Sequence, residues 1–407
     1  MTNIDIIEQI LNFGPNWRVT AVEADHAHQK VHIQVDYVNP MGTDPETGTP
    51  LPLYDHRKKR VWQHLPIMQY STYIHCRVPR VRTTAGKVRT ISVPWADEGE
   101  RHTYLFESFI IDLLQACRNQ SKVAELMRTS FDKVNRIMNL ATERGLARRD
   151  IQDGEVKQLS LDEKSFMRGH RYVSVLVDPM GKRVLDVAEG RTIEATKALL
   201  SSSLTQNQLA EVEAVSMDMW EAYMSAVREL MPGADIVHDK FHIVKYLNTA
   251  LDDTRKQEVR SQSLLKDSKF AMLKHHDNLT ELQRAKFDEV MEAGLNTSQA
   301  WCLCEDFRAV LEADSLPEGV AFYDIWEERV RESMIKPMVK LAKTFRNHLE
   351  GILNVIKHRI TNALIERFNG KIQELKAIGR GYRVFENFRY AILFYNGKLD
   401  LHPHYSQ

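Results

Sequence analysis

Cysteine is scarce. Four residues in 407 (Cys76, Cys117, Cys302 and Cys304) are too few and too scattered for a disulfide framework, which predicts a reducing compartment. No run approaches the roughly 18 apolar residues of a membrane helix, and MTNIDIIEQI at the start lacks the basic-then-apolar pattern of a secretion signal. A cytoplasmic protein with no membrane partner is expected. A GxxxxGK[ST] phosphate loop is missing, so no nucleotide cofactor is expected; the lack of a GxSxG elbow, or of a cysteine in a strand-to-helix turn, leaves a nucleophilic hydrolase unsupported. Net charge is missing as well, since 55 Lys and Arg balance 55 Asp and Glu, and that sum alone points to no polyanionic partner. What is present is 43% hydrophobic and 27% charged residues, the composition of a soluble globular chain of about two or three domains.

The zero sum hides opposed blocks. Residues 55–95 hold nine Lys or Arg against the single acid Asp55, and residues 329–398 hold fifteen against five acids. Residues 211–328 reverse the balance, with twelve basic and twenty-four acidic side chains. Basic runs are often only solvated faces, but two that flank an acidic block point to a polyanion lying along both.

The hydrophobic period changes along the chain. Residues 1–55 give a short amphipathic helix (Ile4, Ile7, Leu11), a strand over 31–38 and the turn-rich NPMGTDPETGTPLP. VWQHL, YSTYIHCRVPRV and VRTISVPW then read as short strands, completing a β-rich DNA-binding module over 1–100. Its rhythm is that of a zinc ribbon. Neither turn, Asn39–Gly42 or Thr83–Gly86, carries a cysteine pair, so zinc is not expected, and His56, His64, His75 and Cys76 read as surface or packing residues.

Residues 101–150 predict a helix-turn-helix. One helix carries Leu105, Phe109, Leu113, Leu114 and Cys117 on a face, and a second covers 122–127. Ser130 caps a third, 131–144, with Val134, Ile137, Met138 and Ala141 inward and Gly145 closing it. Lys133, Asn135 and Arg136 in its first turn are the expected groove contacts.

From 151 onward, VKQLSLDE, RYVSVLVD and KRVLDVAEG predict three antiparallel strands, followed by helix 193–200, strand EAVSMD, helix 220–230, strand ADIVHD and helix 240–251. The order βββαβαβα is that of the ribonuclease-H-like fold. Residues 252–346 read as an acid-rich all-α insertion, and one long helix over 347–376 returns the chain to a catalytic domain made of 151–251 and 347–407.

Three carboxylates stand where such a fold makes them converge. Asp162 lies in the first strand and Asp218 ends the fourth, which is its neighbour; Glu366 sits on the late helix in the polar stripe Asn362, Glu366, Asn369, Gln373 beside the apolar stripe Ile365, Phe368, Ile372, Leu375. Converging carboxylates suit Mg²⁺ (or Mn²⁺), a hard cation taking oxygen ligands, and an ion pair can polarise both the attacking and the leaving oxygen of a phosphodiester. Asp239, ending the fifth strand, competes for the second place and ranks lower because the first and fourth strands are the adjacent pair. Asn362 and Asn369 can orient the Glu366 carboxylate or meet a phosphate. Singly, Asp218 would read as a helix cap and Glu366 as a solvated acid; their order in one fold raises all three together.

LDEKSF, SMDMWEAY, PGADIVHDKFHIVK and NALIERFNGKIQELKAIGRGYRVFENFRYAI resemble, in order, the signature blocks of the ISL-three family of bacterial insertion-sequence transposases, and YDHRKKRVWQHLPIMQYSTYIHCRVPRVRT resembles that family's N-terminal segment. The resemblance implies a DDE enzyme using two Mg²⁺ ions, which cuts at the terminal inverted repeats of its element and joins the 3′ ends to target DNA. By matched block its DDE residues fall on Asp162, Asp218 and Glu366. The zinc-binding cysteines of that family are absent, their places being Asn39, Gly42 and Thr83. The implied partners are element-end and target DNA and a homodimer or larger multimer, nucleoid-associated when bound. DNA contacts are expected from Lys58, Arg60, Arg80 and Arg82, from Lys133, Asn135 and Arg136, and from Lys371, Lys376, Arg380 and Arg383. A ribonuclease-H-like nuclease or resolvase would use the same carboxylates without joining, and a DNA-binding regulator would need only 55–150.

Overall fold

The computed structural model describes residues 3–152, 154–167, 171–274, 276–360, 363–379 and 381–404. It divides into two units, one of residues 1–152, 375–395 and 399–407, the other of 153–374 and 396–398. No helix among the described residues is long and apolar enough to cross a membrane.

The first unit opens with helix α1 (Asn3–Leu11), followed by strands β1 (Trp17–Asp25), β2 (Lys30–Tyr37), β3 (Met41–Thr43), β4 (Pro50–His56), β5 (Arg60–Ile67), β6 (Tyr70–Cys76), β7 (Pro79–Arg82) and β8 (Val88–Thr90). They form two four-stranded sheets, ordered β1-β2-β6-β5 and β3-β4-β7-β8. Strict alternation in β2 turns Val31, Ile33 and Val35 inward. They meet Trp17, Trp62 and Trp95, whose rings pack edge to face at 4.8 and 5.6 Å between centroids. The turn-rich stretch expected over 39–52 contains β3 and the start of β4. Pro50 and Pro52 are tolerated there because that half of β4 pairs only with β3.

Helices α2 (Tyr104–Cys117), α3 (Gln120–Leu126) and α4 (Phe131–Gln152) follow, and α16 (Phe385–Asn396) completes this unit's second core. Thr103 and Asn119 cap the first two helices, and the Ser130 hydroxyl accepts from Lys133 N at the start of the third. Two expectations are corrected here. The buried face of α2 is Phe106, Ile110, Ile111 and Leu114, whereas Phe109 is 42% exposed and Cys117 lies on the surface. The rotation follows Glu107, whose carboxylate is drawn inward between His102 (3.2 Å) and Arg144 (2.7 Å). Gly145 does not end α4, which continues seven residues further, to Gln152. A β-carbon at 145 would lie 2.6 Å from Leu399 Cβ, so glycine there permits close packing and caps nothing.

The second unit is built on strands β9 (Gln158–Met167), β10 (Arg171–Asp178), β11 (Arg183–Glu189), β12 (Ala214–Met217) and β13 (Asp235–His238), interleaved with helices α5 (Ile193–Ser203), α6 (Gln206–Glu211), α7 (Glu221–Leu230) and α8 (Lys240–Glu258). The sheet order is β11-β10-β9-β12-β13. The first three strands are antiparallel neighbours; β12 runs parallel to both β9 and β13, as expected for strands joined through crossover helices. One core gathers Leu159, Leu161, Leu176, Leu200, Val215 and Val227.

The remaining helices are α9 (Lys269–Leu273), α10 (Glu281–Glu292), α11 (Asn296–Glu312), α12 (Leu316–Ser333), α13 (Lys336–Asn347), α14 (Leu349–His358) and α15 (Ala363–Ile378). Residues 252–346 are helical as expected, yet they share a core with the sheet: Ala214, Val237 and Ile243 belong to the same cluster as Phe307, Tyr323, Trp326 and Phe345. The single helix expected over 347–376 is two, because Arg359 adopts the left-handed conformation (φ 46°) and closes α14. The α14 helix docks on β13, with Asn354 Nδ2 donating to Ile236 O at 2.9 Å. The catalytic domain read as 151–251 with 347–407 is also divided differently, since residues 375–395 and 399–407 group with the first unit, whose β module and helix-turn-helix form one body.

Candidate active site

Register sets the level of three aspartates. Ser160 on β9 pairs with Ser216 on β12, so Asp162 and Asp218 each stand two residues further along neighbouring parallel strands. Met217 pairs with His238 on β13, which puts Asp239 level with Asp218 on the next strand, and Asp239 N donates to Met217 O at 2.9 Å. With roughly 4.8 Å between adjacent strands, the three carboxylates form a row at the end of the parallel part of the sheet.

Each is held differently. Asp162 is part-buried; burial pushes its carboxyl up, opposed by Asn369, whose Nδ2 donates to Oδ2 at 2.5 Å, and by the Lys164 charge and the Glu163 backbone N–H. Asp218 accepts from Met219 N at 2.7 Å and keeps a 34% exposed side chain. Asp239 caps α8 through Phe241 N and binds His242 Nδ1 at 2.9 Å. His242 Nε2 in turn lies 3.8 Å from Asp218 Oδ2. Burial disfavours a charged imidazole there, but Asp239, Asp218 and Asp162 outweigh it and raise His242 above the usual histidine value.

The α15 helix supplies the other side. Ile365, Phe368 and Ile372 are buried and hold it in place, while Asn369 is 8% exposed against Asp162. Glu366 stands one turn earlier on α15 and is exposed. Among the described residues no three His, Cys, Asp or Glu side chains form a metal-sized group. Asn362 and Arg380 lie outside the described residues. Lys371 stacks over Phe368 at 5.4 Å, Lys376 is partly buried, and Arg383 is exposed.

Sequence reasoning missed a feature beside the carboxylates. Arg191 pairs with Glu163 at 2.8 Å and lies between the rings of Tyr172 (4.5 Å) and Trp220 (4.4 Å). Trp220 is 40% exposed. Its position two residues after Asp218 was the available signal.

Several expected DNA contacts in the first unit are engaged internally. Arg80 is paired with Asp55, Arg82 covers the Tyr54 ring at 4.0 Å, and Arg136 meets Glu100 at 2.6 Å. Lys133 reaches Gln63 Oε1 at 2.8 Å, and burial lowers its pKa. Asn135 is half-buried; Lys58 is exposed, and Arg60 lies over Trp62.

The chain is similar in sequence to proteins of known class. Residues 159–392 match a family described as transposase, and residues 91–141 match the helix-turn-helix domain of transposase family ISL3. The transposase for insertion sequence element IS1001 of Bordetella parapertussis is 27% identical over 335 residues, 80% of this chain and 81% of the relative. That for IS1557 of Mycobacterium tuberculosis is 27% identical over 355 residues, 80% and 78% respectively. The class is thus that of DNA-binding enzymes that cut and transfer DNA. This chain belongs to the ISL3 family of insertion-sequence transposases.

Residues 41–82 match the zinc finger of the IS204/IS1001/IS1096/IS1165 transposases, which weighs against the expectation that this module takes no zinc. Its own side chains do not supply a ligand set. Cys76, the segment's single cysteine, is fully buried, and burial pushes its thiol up to about 12. His64 is buried on Thr103 at 2.9 Å, its pKa lowered to about 4 by burial, and His75 is bound to His32 at 2.8 Å. A β-carbon at Gly42 would come within 2.8 Å of Val81 and 2.9 Å of Ile91, so apolar side chains crowd that turn.

Proposed function

We propose that residues 153–374 form a ribonuclease-H-like DDE core that cleaves the terminal inverted repeats of its element and joins the 3′ ends to target DNA. The observation carrying this is the level row of Asp162 and Asp218 on adjacent parallel strands, with α15 bound to Asp162 through Asn369 and so bringing Glu366 within a helical turn of that contact. Asp162, Asp218 and Glu366 are the catalytic set. Their donors are carboxylate oxygens, the chemistry that Mg²⁺ or Mn²⁺ takes, and the burial of Asp162 favours a counter-charge there. Bound divalent ions would supply a deprotonated attacking oxygen and stabilise the leaving one.

The chain's own residues do the positioning. Asn369 fixes the Asp162 carboxylate, and Asp239 orients His242 toward Asp218. Asn369→Ala should lower the joining rate about 10- to 100-fold with DNA affinity unchanged, the range seen when a group orienting a metal-binding side chain is lost; a rate within twofold of wild type would remove Asn369 from this role. The protein is expected to act as a dimer or larger multimer, cytoplasmic and nucleoid-associated when bound.

The test is a joining assay with duplexes carrying the element's ends, target DNA and Mg²⁺. Joined 3′ ends that vanish with EDTA and return with Mg²⁺ support the proposal. Cleavage of branched or hybrid substrates without joining would favour a nuclease or resolvase, and binding with no cleavage a regulator.

A further inference from the structure

Several basic residues of the first unit are neutralised within the fold: Arg18 by Glu8, Arg80 by Asp55, Arg89 by Asp44 and Glu46, Arg136 by Glu100. Another four gather in one place. Among the described residues Arg57, Lys58, Lys59 and Arg101 make no ion pair, and all four line one open cavity of about 600 Å³, shared with Arg60 and Arg80. Glu98 is its one acidic lining residue.

Two segments bring the four unpaired residues to this cavity, and β7 adds Arg80. The turn between β4 and β5 carries Arg57–Lys59 and is tied down by Arg57 N donating to Val78 O at 2.9 Å. The stretch before α2 brings Arg101, whose carbonyl accepts from Gln63 N of β5 at 3.0 Å. Between them Arg60 has its Nε buried without a partner. Burial and the charges of Arg101 and Arg57 lower its pKa, against a raising effect from Glu98. Like charges held this close repel, and repulsion of this kind is relieved when an anion enters. Apart from His56 the lining offers no ring on which a base can stack.

We propose that this cleft binds a run of DNA backbone phosphodiesters, anchoring the duplex independently of its sequence. The proposal rests on the transposase reading and adds a phosphate site comprising Arg57, Lys59 and Arg101 to it. Size agrees, since the cavity exceeds a single phosphate group and admits a short sugar-phosphate segment. Contacts to phosphate oxygens position a protein on DNA without reading bases, and each phosphate neutralised adds about 0.9 to the slope of log affinity against log salt.

The experiment uses the full chain and the triple variant Arg57→Gln, Lys59→Gln, Arg101→Gln, with Lys87→Gln, at an exposed turn lysine outside the cleft, as control. Fluorescence anisotropy gives affinity for an element-end duplex and an unrelated duplex across a salt series. The triple variant should lose about 2 to 3 from the salt slope and weaken both duplexes by the same factor. It should also melt no lower than wild type, because it removes repulsion only. An unchanged slope, or a loss confined to the element-end duplex, overturns the proposal. So does calorimetric binding of inorganic phosphate or pyrophosphate that the variant abolishes while its DNA slope stays at the wild-type value. A wild-type chain that binds no DNA would defeat the transposase reading as well, whereas an unchanged slope with joining intact defeats the cleft alone.

Discussion

Asp162→Asn should reduce end joining at least about 10³-fold while leaving DNA affinity within about twofold. Metal-held charge stabilisation is worth several kcal/mol in the transition state, and each 1.36 kcal/mol is tenfold in rate. Asn keeps the shape of the side chain and removes the negative charge, but its amide oxygen can accept only one of the two hydrogen bonds that Asp162 takes from Glu163 N and Asn369 Nδ2, so the melting temperature is measured alongside activity. An uncharged amide is easier to bury than a carboxylate, which offsets the lost acceptor, so the variant should melt near the wild-type temperature. Gel-based joining and anisotropy binding on one preparation check it; retained joining would sink the assignment. Asp218→Ala and Asp239→Ala decide the second place. Joining that survives in the first and fails in the second would move that carboxylate from β12 to β13.

Glu107→Ala should cost about 3 to 5 kcal/mol of stability, the range for breaking a buried charged network by removing one member. Glu107, 2% exposed, accepts from His102 and Arg144 inside the helical core. Burial raises its pKa, but His102 and Arg144 outweigh that and hold the carboxyl below its ordinary value. The sign follows from proton linkage. A carboxylate depressed in the folded state contributes stability fully present above its unfolded value of about 4.3, and lost as pH falls through the folded value. Urea unfolding of the full chain at pH 7 and again near pH 3.5 should show the gap between wild type and Glu107→Gln shrinking with acidity. A variant within 1 kcal/mol of wild type at pH 7, or a gap that widens in acid, would show that the network adds nothing.

The row of aspartates was legible in the sequence because each sits at the end of a short apolar run, and the alternation of strands and helices left one sensible sheet order. Asp218 beside Asp162 follows from that order. Harder features had physical reasons to hide. Strand β1 carries a bulge between Val19 and Ala21 that breaks its alternation, and β3 is three residues long. The α2 helix is apolar around most of its circumference, so periodicity chose one stripe and the buried Glu107 another. Gly145 looked like a terminator because nothing local reveals Leu399 packed against it. The break at Arg359 rests on a left-handed non-glycine residue, which composition does not signal. Lys133 and Arg136 carried the charge expected of groove contacts, while Gln63 and Glu100, distant in sequence, engage them.

Both units close through residues encoded late. The helical core of the first is completed by Ala391, Phe394 and Leu401, and the Asp162 carboxylate of the second is fixed by Asn369. During synthesis, then, neither the helical core of the first unit nor the hydrogen bond that holds Asp162 is complete until nearly the whole chain has left the ribosome. A premature stop before residue 369 leaves a fragment without the Asn369 contact to Asp162 and without the part of the helical core that Ala391, Phe394 and Leu401 supply, while the β module keeps its own core.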